Sequence, residues 1–232
     1  MAARRDGPFL SGQTRLKRVP SGTNMPLEFL ISAFVTLLVV VDPIGLMPAF
    51  LAVTGGLPAQ ARRSVALRAC LIAAAILAGS ALAGDWLLRT LSITLPAFRI
   101  AGGLLLFSIA SEMVFGVRIA RQSKAAEEVI EDHVRNIAAV PLAIPLMAGP
   151  GAITATVLLA GRSGGDPVRL GMLLGVIVAV MLLCLLVFTA AGRIGNLMGT
   201  TGNIVLSRLL GVLLAALAVQ YVIDGLRAAL VS

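Results

Sequence analysis

Six long apolar blocks dominate the chain, at 27–53, 67–83, 97–115, 137–160, 170–191 and 204–223, with short polar stretches between them. Each reaches or approaches the roughly 20 residues that a helix needs to cross about 30 Å of hydrocarbon. In lipid every backbone polar group must be satisfied within its own segment, so runs of this kind are helices. The pattern predicts an all-α membrane protein whose single domain, 25–232, holds six transmembrane helices.

Two of the blocks are interrupted at matching places. In the first, twelve residues (30–41), nearly all apolar, precede Asp42, Pro43, Ile44 and Gly45, and a shorter apolar run continues to Val53. In the fourth, twelve residues (137–148) precede Gly149, Pro150 and Gly151, and an apolar run continues to Ala160. Twelve helical residues rise about 18 Å, so both interruptions are expected near the middle of the bilayer. Proline removes a donor and clashes with the preceding turn, and glycine loosens the backbone further. Helices 1 and 4 are therefore expected to be broken. Unwound backbone is tolerated in a membrane only inside protein or along a wet cavity, so the two breaks should face each other across one.

Each break exposes the start of a second half-helix, where free N–H groups and the helix dipole favour an anion. After Gly151 these donors belong to Ala152, Ile153 and Thr154; after Pro43 they begin at Ile44 and Gly45. Asp42 is a carboxylate where an acid is costly, which makes it a functional candidate able to cap its own half-helix or hold a cation. The candidate substrate-binding set is Asp42, Pro43, Ile44, Gly45, Gly149, Pro150, Gly151, Ala152, Ile153 and Thr154.

The two halves share a design. "FRIAGGLLLFSIASEMVFG" (98–116) and "SRLLGVLLAALAVQYVIDG" (207–225) align at a constant offset of 109, matching Arg99 with Arg208, Gly102 with Gly211 and Gly116 with Gly225. A unit of three spans is odd-numbered, so its second copy enters the membrane from the other side. This predicts inverted-topology repeats over about 26–116 and 137–227, a plan common among secondary transporters.

Composition agrees with the pattern. The chain of 232 residues is 58% hydrophobic and 13% charged, with a mean hydropathy of +0.98, whereas soluble domains are about 45–50% apolar and about 25% charged. The net charge of +8 sits in short loops and in a tail with few aromatic residues, so it reads as a topology signal and not as a nucleic-acid surface. Arg62, Arg63, Arg118, Arg121, Lys124, Arg135 and Arg193 crowd one side, which places both termini on the non-cytoplasmic side. The basic tail 1–24, expected to be disordered, opposes that choice with five further cations, and Met25, directly before the first block, is a second candidate start. Cys70 and Cys184 fall within spans and are expected as buried free thiols. Gly171 and Gly175 form a GxxxG, a mark of close helix packing. Glu112 is expected at a solvated helix end, His133 in a charged loop, and Lys124–Glu128 and Glu131–Arg135 as i,i+4 pairs on a surface helix.

"FVTLLVVVDPIGLMPAFLAVT", "AFRIAGGLLLFSIASEMVFG" and "IPLMAGPGAIT" together resemble the MarC family of bacterial inner-membrane proteins, which includes the SnatA-type neutral amino acid transporters. The resemblance covers roughly 25–226. It implies six spans, a location in the plasma membrane and, in some members, transport of small neutral amino acids such as alanine and glycine. The expected activity is alternating-access transport of such a zwitterionic solute, coupled to H⁺ or Na⁺, with no cofactor, no metal and no enzymatic chemistry. The expected partners are the solute and the lipid bilayer, not nucleic acid. A channel, or an assembly partner that transports nothing, are the competing readings; oligomeric state and direction are not legible.

Overall fold

The computed structural model describes residues 25–118, 121 and 142–231. The tail 1–24, His133 and the pairs Lys124–Glu128 and Glu131–Arg135 lie outside the described residues. Every regular element among the described residues is helical. In chain order they are α1 (Met25–Val41), α2 (Met47–Val53), α3 (Ala59–Thr90), α4 (Leu95–Val114), a π-type turn (Leu142–Met147), α5 (Pro150–Arg162), α6 (Pro167–Thr189) and α7 (Ala191–Val231). Helices α3, α4, α6 and the Gly202–Leu230 part of α7 are long and apolar enough to cross a membrane. With α1 at 17 residues, the chain is an all-α membrane protein.

Local chemistry starts several of these helices. The Thr94 side chain accepts the Ala97 N–H at 3.3 Å, and Pro96 lies in the first turn of α4. Asp166 accepts the Val168 N–H at 2.9 Å, and Pro167 opens α6. A short polar cap followed by proline satisfies one orphan donor and supplies a residue that needs none. α7 begins at Ala191, well before the predicted start at Ile204, because nothing between them is a proline.

The first break falls where expected, with α1 ending at Val41 and α2 beginning at Met47. The second differs. Of the expected stretch 137–148, residues 137–141 lie outside the described residues; in the remainder Ile144 is extended at φ −129°, ψ 120°, and the Ala148 N–H reaches back five residues to the Ala143 carbonyl at 2.9 Å. Ile144 precedes Pro145, and a residue before proline is disfavoured from the helical region. The backbone is thus irregular at Ile144, ahead of the expected break, and α5 starts at Pro150.

Leu37, Phe50, Leu77, Leu106, Leu158 and Phe188 are fully buried, whereas Leu71, Trp86, Leu104, Leu182, Leu186 and Leu209 are more than half exposed. An apolar outer surface of this extent belongs against lipid tails. Cys70 and Cys184 are buried free thiols, as expected. The GxxxG expectation fails within the chain: a Cβ on Gly171 or Gly175 would meet nothing within 4 Å, since α6 buries its other face through Leu173, Val176, Ile177 and Val180.

Close packing occurs instead between α4 and α7, the most extensive helix pair. They run antiparallel. Gly103 faces Ala218 and Val222, Gly211 faces Ala110 and Met113, and Gly225 faces Pro96 and Ile100. A Cβ on Gly103 would lie 2.7 Å from the Ala218 carbonyl oxygen and 2.7 Å from Val222 Cγ2. Gly103→Ala should therefore cost about 1–3 kcal/mol through overpacking, read as a lower unfolding temperature in detergent. Gly79→Ala, where a Cβ meets nothing within 4 Å, should leave stability unchanged or raise it through helix propensity. Equal effects would mean that the α4–α7 contact is loose.

Candidate functional site

The Asp-Pro-Ile-Gly break is a tight turn built around its own acid. Asp42 has a positive φ of 51°, a left-handed conformation that Asp and Asn tolerate better than most residues. Its N–H closes the last turn of α1 on the Leu38 carbonyl at 2.9 Å, and its carbonyl accepts the Leu46 N–H at 3.0 Å. The carboxylate folds inward: Oδ1 accepts the Gly45 N–H at 3.0 Å, and Oδ2 accepts the Ser207 hydroxyl of α7 at 3.4 Å. Asp42 is buried, with 1% of its surface exposed. The carboxylate closes the turn on Gly45 and does not cap α2, whose N-cap is Leu46 with no side-chain cap bond.

The Gly-Pro-Gly break opens onto a cavity of about 430 Å³. Gly149 is extended at ψ 174° and acts as N-cap, Pro150 opens α5, and the Ile153 N–H returns to the Gly149 carbonyl at 3.0 Å. By helix geometry the N–H groups of Gly151 and Ala152 have no acceptor within α5. Opposite them lie Val40 at the end of α1, Ser108, Ile109 and Glu112 on α4, and Arg118 and Arg121 just beyond it. A Cβ on Gly151 would push aside the end of the Ile109 side chain.

Of the candidate residues, Gly149, Pro150, Gly151 and Ala152 line this cavity. Ile153 packs against the core, and Thr154 is buried against Gly102 of α4. Asp42, Pro43 and Gly45 are buried and Ile44 is half-buried, and none of the four is part of the lining. The end of α1 meets the start of α5, with Val40 Cγ1 3.6 Å from the Cβ position of Gly151, while Asp42 is held by Gly45 and Ser207.

The charges in the cavity come from residues expected to be solvated. Arg118 is only 6% exposed. Its guanidinium donates to the Val40 carbonyl at 2.8 Å and contacts Met113 Sδ at 3.0 Å. Arg118 thereby holds the α1 backbone two residues before Asp42, with no ion pair to that acid among the described residues. Glu112 pairs with Arg121 at 2.6 Å through Oε1, while its Oε2 is buried with no hydrogen-bond partner. The sequence does hold one signal: Gly116, at the end of α4, has φ 76°, the left-handed helix stop that turns the chain back on itself. Arg118 follows that turn and comes back beneath α1.

At the opposite end of the bundle a cation, an aromatic ring and an acid meet. Arg162, at the end of α5, stacks over the buried Tyr221 ring of α7 at 4.6 Å and pairs with Asp224 at 3.6 Å. Arg99 and Arg227 stand beside this pair around an open surface hollow.

These features define a multi-pass helical membrane protein with a charged cavity between two interrupted helices. The chain belongs to the MarC family of integral membrane proteins, whose profile matches residues 27–230. It is 35% identical over 210 residues to a UPF0056 membrane protein of Methanocaldococcus jannaschii, covering 89% of this chain and 100% of that relative. A UPF0056 membrane protein of Aquifex aeolicus is 35% identical over 199 residues, 85% and 92% of the two chains. The UPF0056 membrane protein YhcE of Escherichia coli is 36% identical over 198 residues, 84% and 90% of the two chains. No solved structure matches the chain.

Proposed function

We propose that the chain is a secondary transporter of a small zwitterionic solute, with neutral amino acids such as alanine and glycine as first candidates, and not an enzyme. One observation carries this reading: a cavity of about 430 Å³ that holds cationic groups and a carboxylate at the same time. It is of the size that small ligands occupy. The free N–H groups of Gly151 and Ala152, with Arg118, suit a carboxylate. The unpartnered Oε2 of Glu112 suits an ammonium.

Alternating access is supported by the two halves. Gly116 of α4 lies 3.7 Å from the Arg208 guanidinium of α7, measured from its Cβ position, and Gly225 of α7 lies 3.1 Å from Arg99 Cβ of α4. These pairs exchange under the 109-residue offset, as an inverted repeat about an axis between α4 and α7 requires. The same offset carries Glu112, on the open cavity, to Tyr221, under the closed Arg162 latch. The solute would leave by the second mouth when Arg162 releases Asp224 and Tyr221. Asp42, held between Gly45 and Ser207, is the proposed site for a coupling H⁺ or Na⁺.

Purified protein in liposomes should show saturable alanine or glycine flux under an imposed H⁺ or Na⁺ gradient. No flux of either solute under either gradient would sink the proposal. Asp42→Asn separates charge from turn closure, because asparagine keeps an oxygen for the Gly45 N–H and tolerates the positive φ. The variant should fold normally and lose gradient-driven flux; undiminished flux would remove Asp42 from the mechanism.

A further inference from the structure

A second polar pocket lies where α2, α3 and α6 meet. It encloses about 250 Å³, with Arg62, Arg63 and Thr189 at its edge and Phe50 and Phe188 at its base. The start of α3 is electrostatically incomplete there. Its N-cap is Pro58, which gives no side-chain cap bond, and its first turn carries no acid. Arg62 and Arg63 stand instead near a helix end that favours anions and whose first N–H groups lack helical acceptors. The Arg62 Nε is buried with no hydrogen-bond partner, and among the described residues neither arginine is in an ion pair. Arginine side chains and the first N–H groups of α3 thus meet at one hollow that no acid lines.

The surroundings say what kind of anion fits. Phe50 and Phe188 are stacked, with ring centroids 4.7 Å apart, and give the pocket an apolar base. Arg63, Leu67 and Leu71 follow one another at i,i+4 spacing along one face of α3, and both leucines are exposed, at 46% and 60%. A cationic rim therefore continues into an apolar strip running along a membrane-spanning helix. A free inorganic anion would use the first and leave the second bare. An amphiphile with a phosphate head would use both.

We propose that Arg62 and Arg63, with the start of α3, bind the phosphate of an acidic phospholipid whose acyl chain lies along Leu67 and Leu71. The site is separate from the solute cavity and does not depend on transport.

The full chain in detergent should gain about 5 °C in unfolding temperature with phosphatidylglycerol, of the order expected when a ligand binds only the folded state. Phosphatidylcholine and inorganic phosphate should give no comparable rise. Arg62→Gln with Arg63→Gln should abolish the gain, while Arg193→Gln, a surface arginine at the start of α7, should keep it. An equal gain with phosphatidylcholine, or in the Arg62/Arg63 variant, overturns the proposal. An equal gain with inorganic phosphate overturns the lipid assignment in favour of a soluble anion. Should the double variant not fold, mass spectrometry of the wild-type protein with its co-purified lipids decides: phosphatidylglycerol must be enriched over phosphatidylethanolamine relative to the source membrane, and an unchanged ratio counts against the site.

Discussion

Gly45→Ala is expected to destabilise the fold by about 3 kcal/mol, seen as a large fall in unfolding temperature. A Cβ at position 45 would lie 2.6 Å from Asp42 Cγ and closer still to Oδ2. The carboxylate would have to swing away, losing both the Gly45 N–H and the Ser207 hydroxyl. Hydrogen bonds to charged groups contribute about 1.5–3 kcal/mol each, and a buried acid left without donors is costlier still. A double-mutant cycle tests the cause. Asp42→Gly removes the carboxylate and suits the positive φ of 51°. In that background Gly45→Ala should cost less than about 1 kcal/mol. If it costs as much as in the wild type, the acid is not what demands glycine at 45.

Much of the fold is legible in the sequence because proline and glycine act locally. The Asp-Pro-Ile-Gly break and the start of α5 at Pro150 follow from backbone chemistry that no tertiary contact overrides. The same rule, applied to Pro145, would have moved the second break back to Ile144. The direction of the Asp42 carboxylate was not legible, since it depends on Ser207, 165 positions away. Nor was the burial of Arg118 and Glu112. Charge near a helix end normally means water, and only the fold brings these two residues against α1 and α5. The GxxxG in α6 erred for a related reason: small residues permit close packing, but the side of α6 that meets the bundle is set by its larger apolar residues.

Arg118→Gln is expected to lower the apparent affinity for alanine about a hundredfold. Truncating one partner of a buried charge interaction costs about 2–5 kcal/mol, and each 1.4 kcal/mol is about a factor of ten. Arg118 has two claims on it. It holds the Val40 carbonyl at 2.8 Å, one of the orphan acceptors at the end of α1, and it lines the cavity facing Gly151 and Ala152. A carboxylate arriving there would compete with Val40 for the guanidinium and loosen the end of α1 next to Asp42. Binding in the cavity would then reach the break that holds the proposed coupling site. Arg118→Lys keeps the charge but not the planar fork that can serve two acceptors at once. It should bind alanine more tightly than Arg118→Gln yet transport it poorly. Glu112→Gln should behave differently, weakening alanine while sparing propionate, which has the carboxylate and lacks the ammonium. If Arg118→Gln leaves alanine affinity within about threefold of wild type while the protein stays folded, the guanidinium serves α1 alone and the carboxylate is bound elsewhere. Should Arg118→Lys match the wild type in both binding and flux, charge suffices and the link from the cavity to the Asp42 break is lost with it.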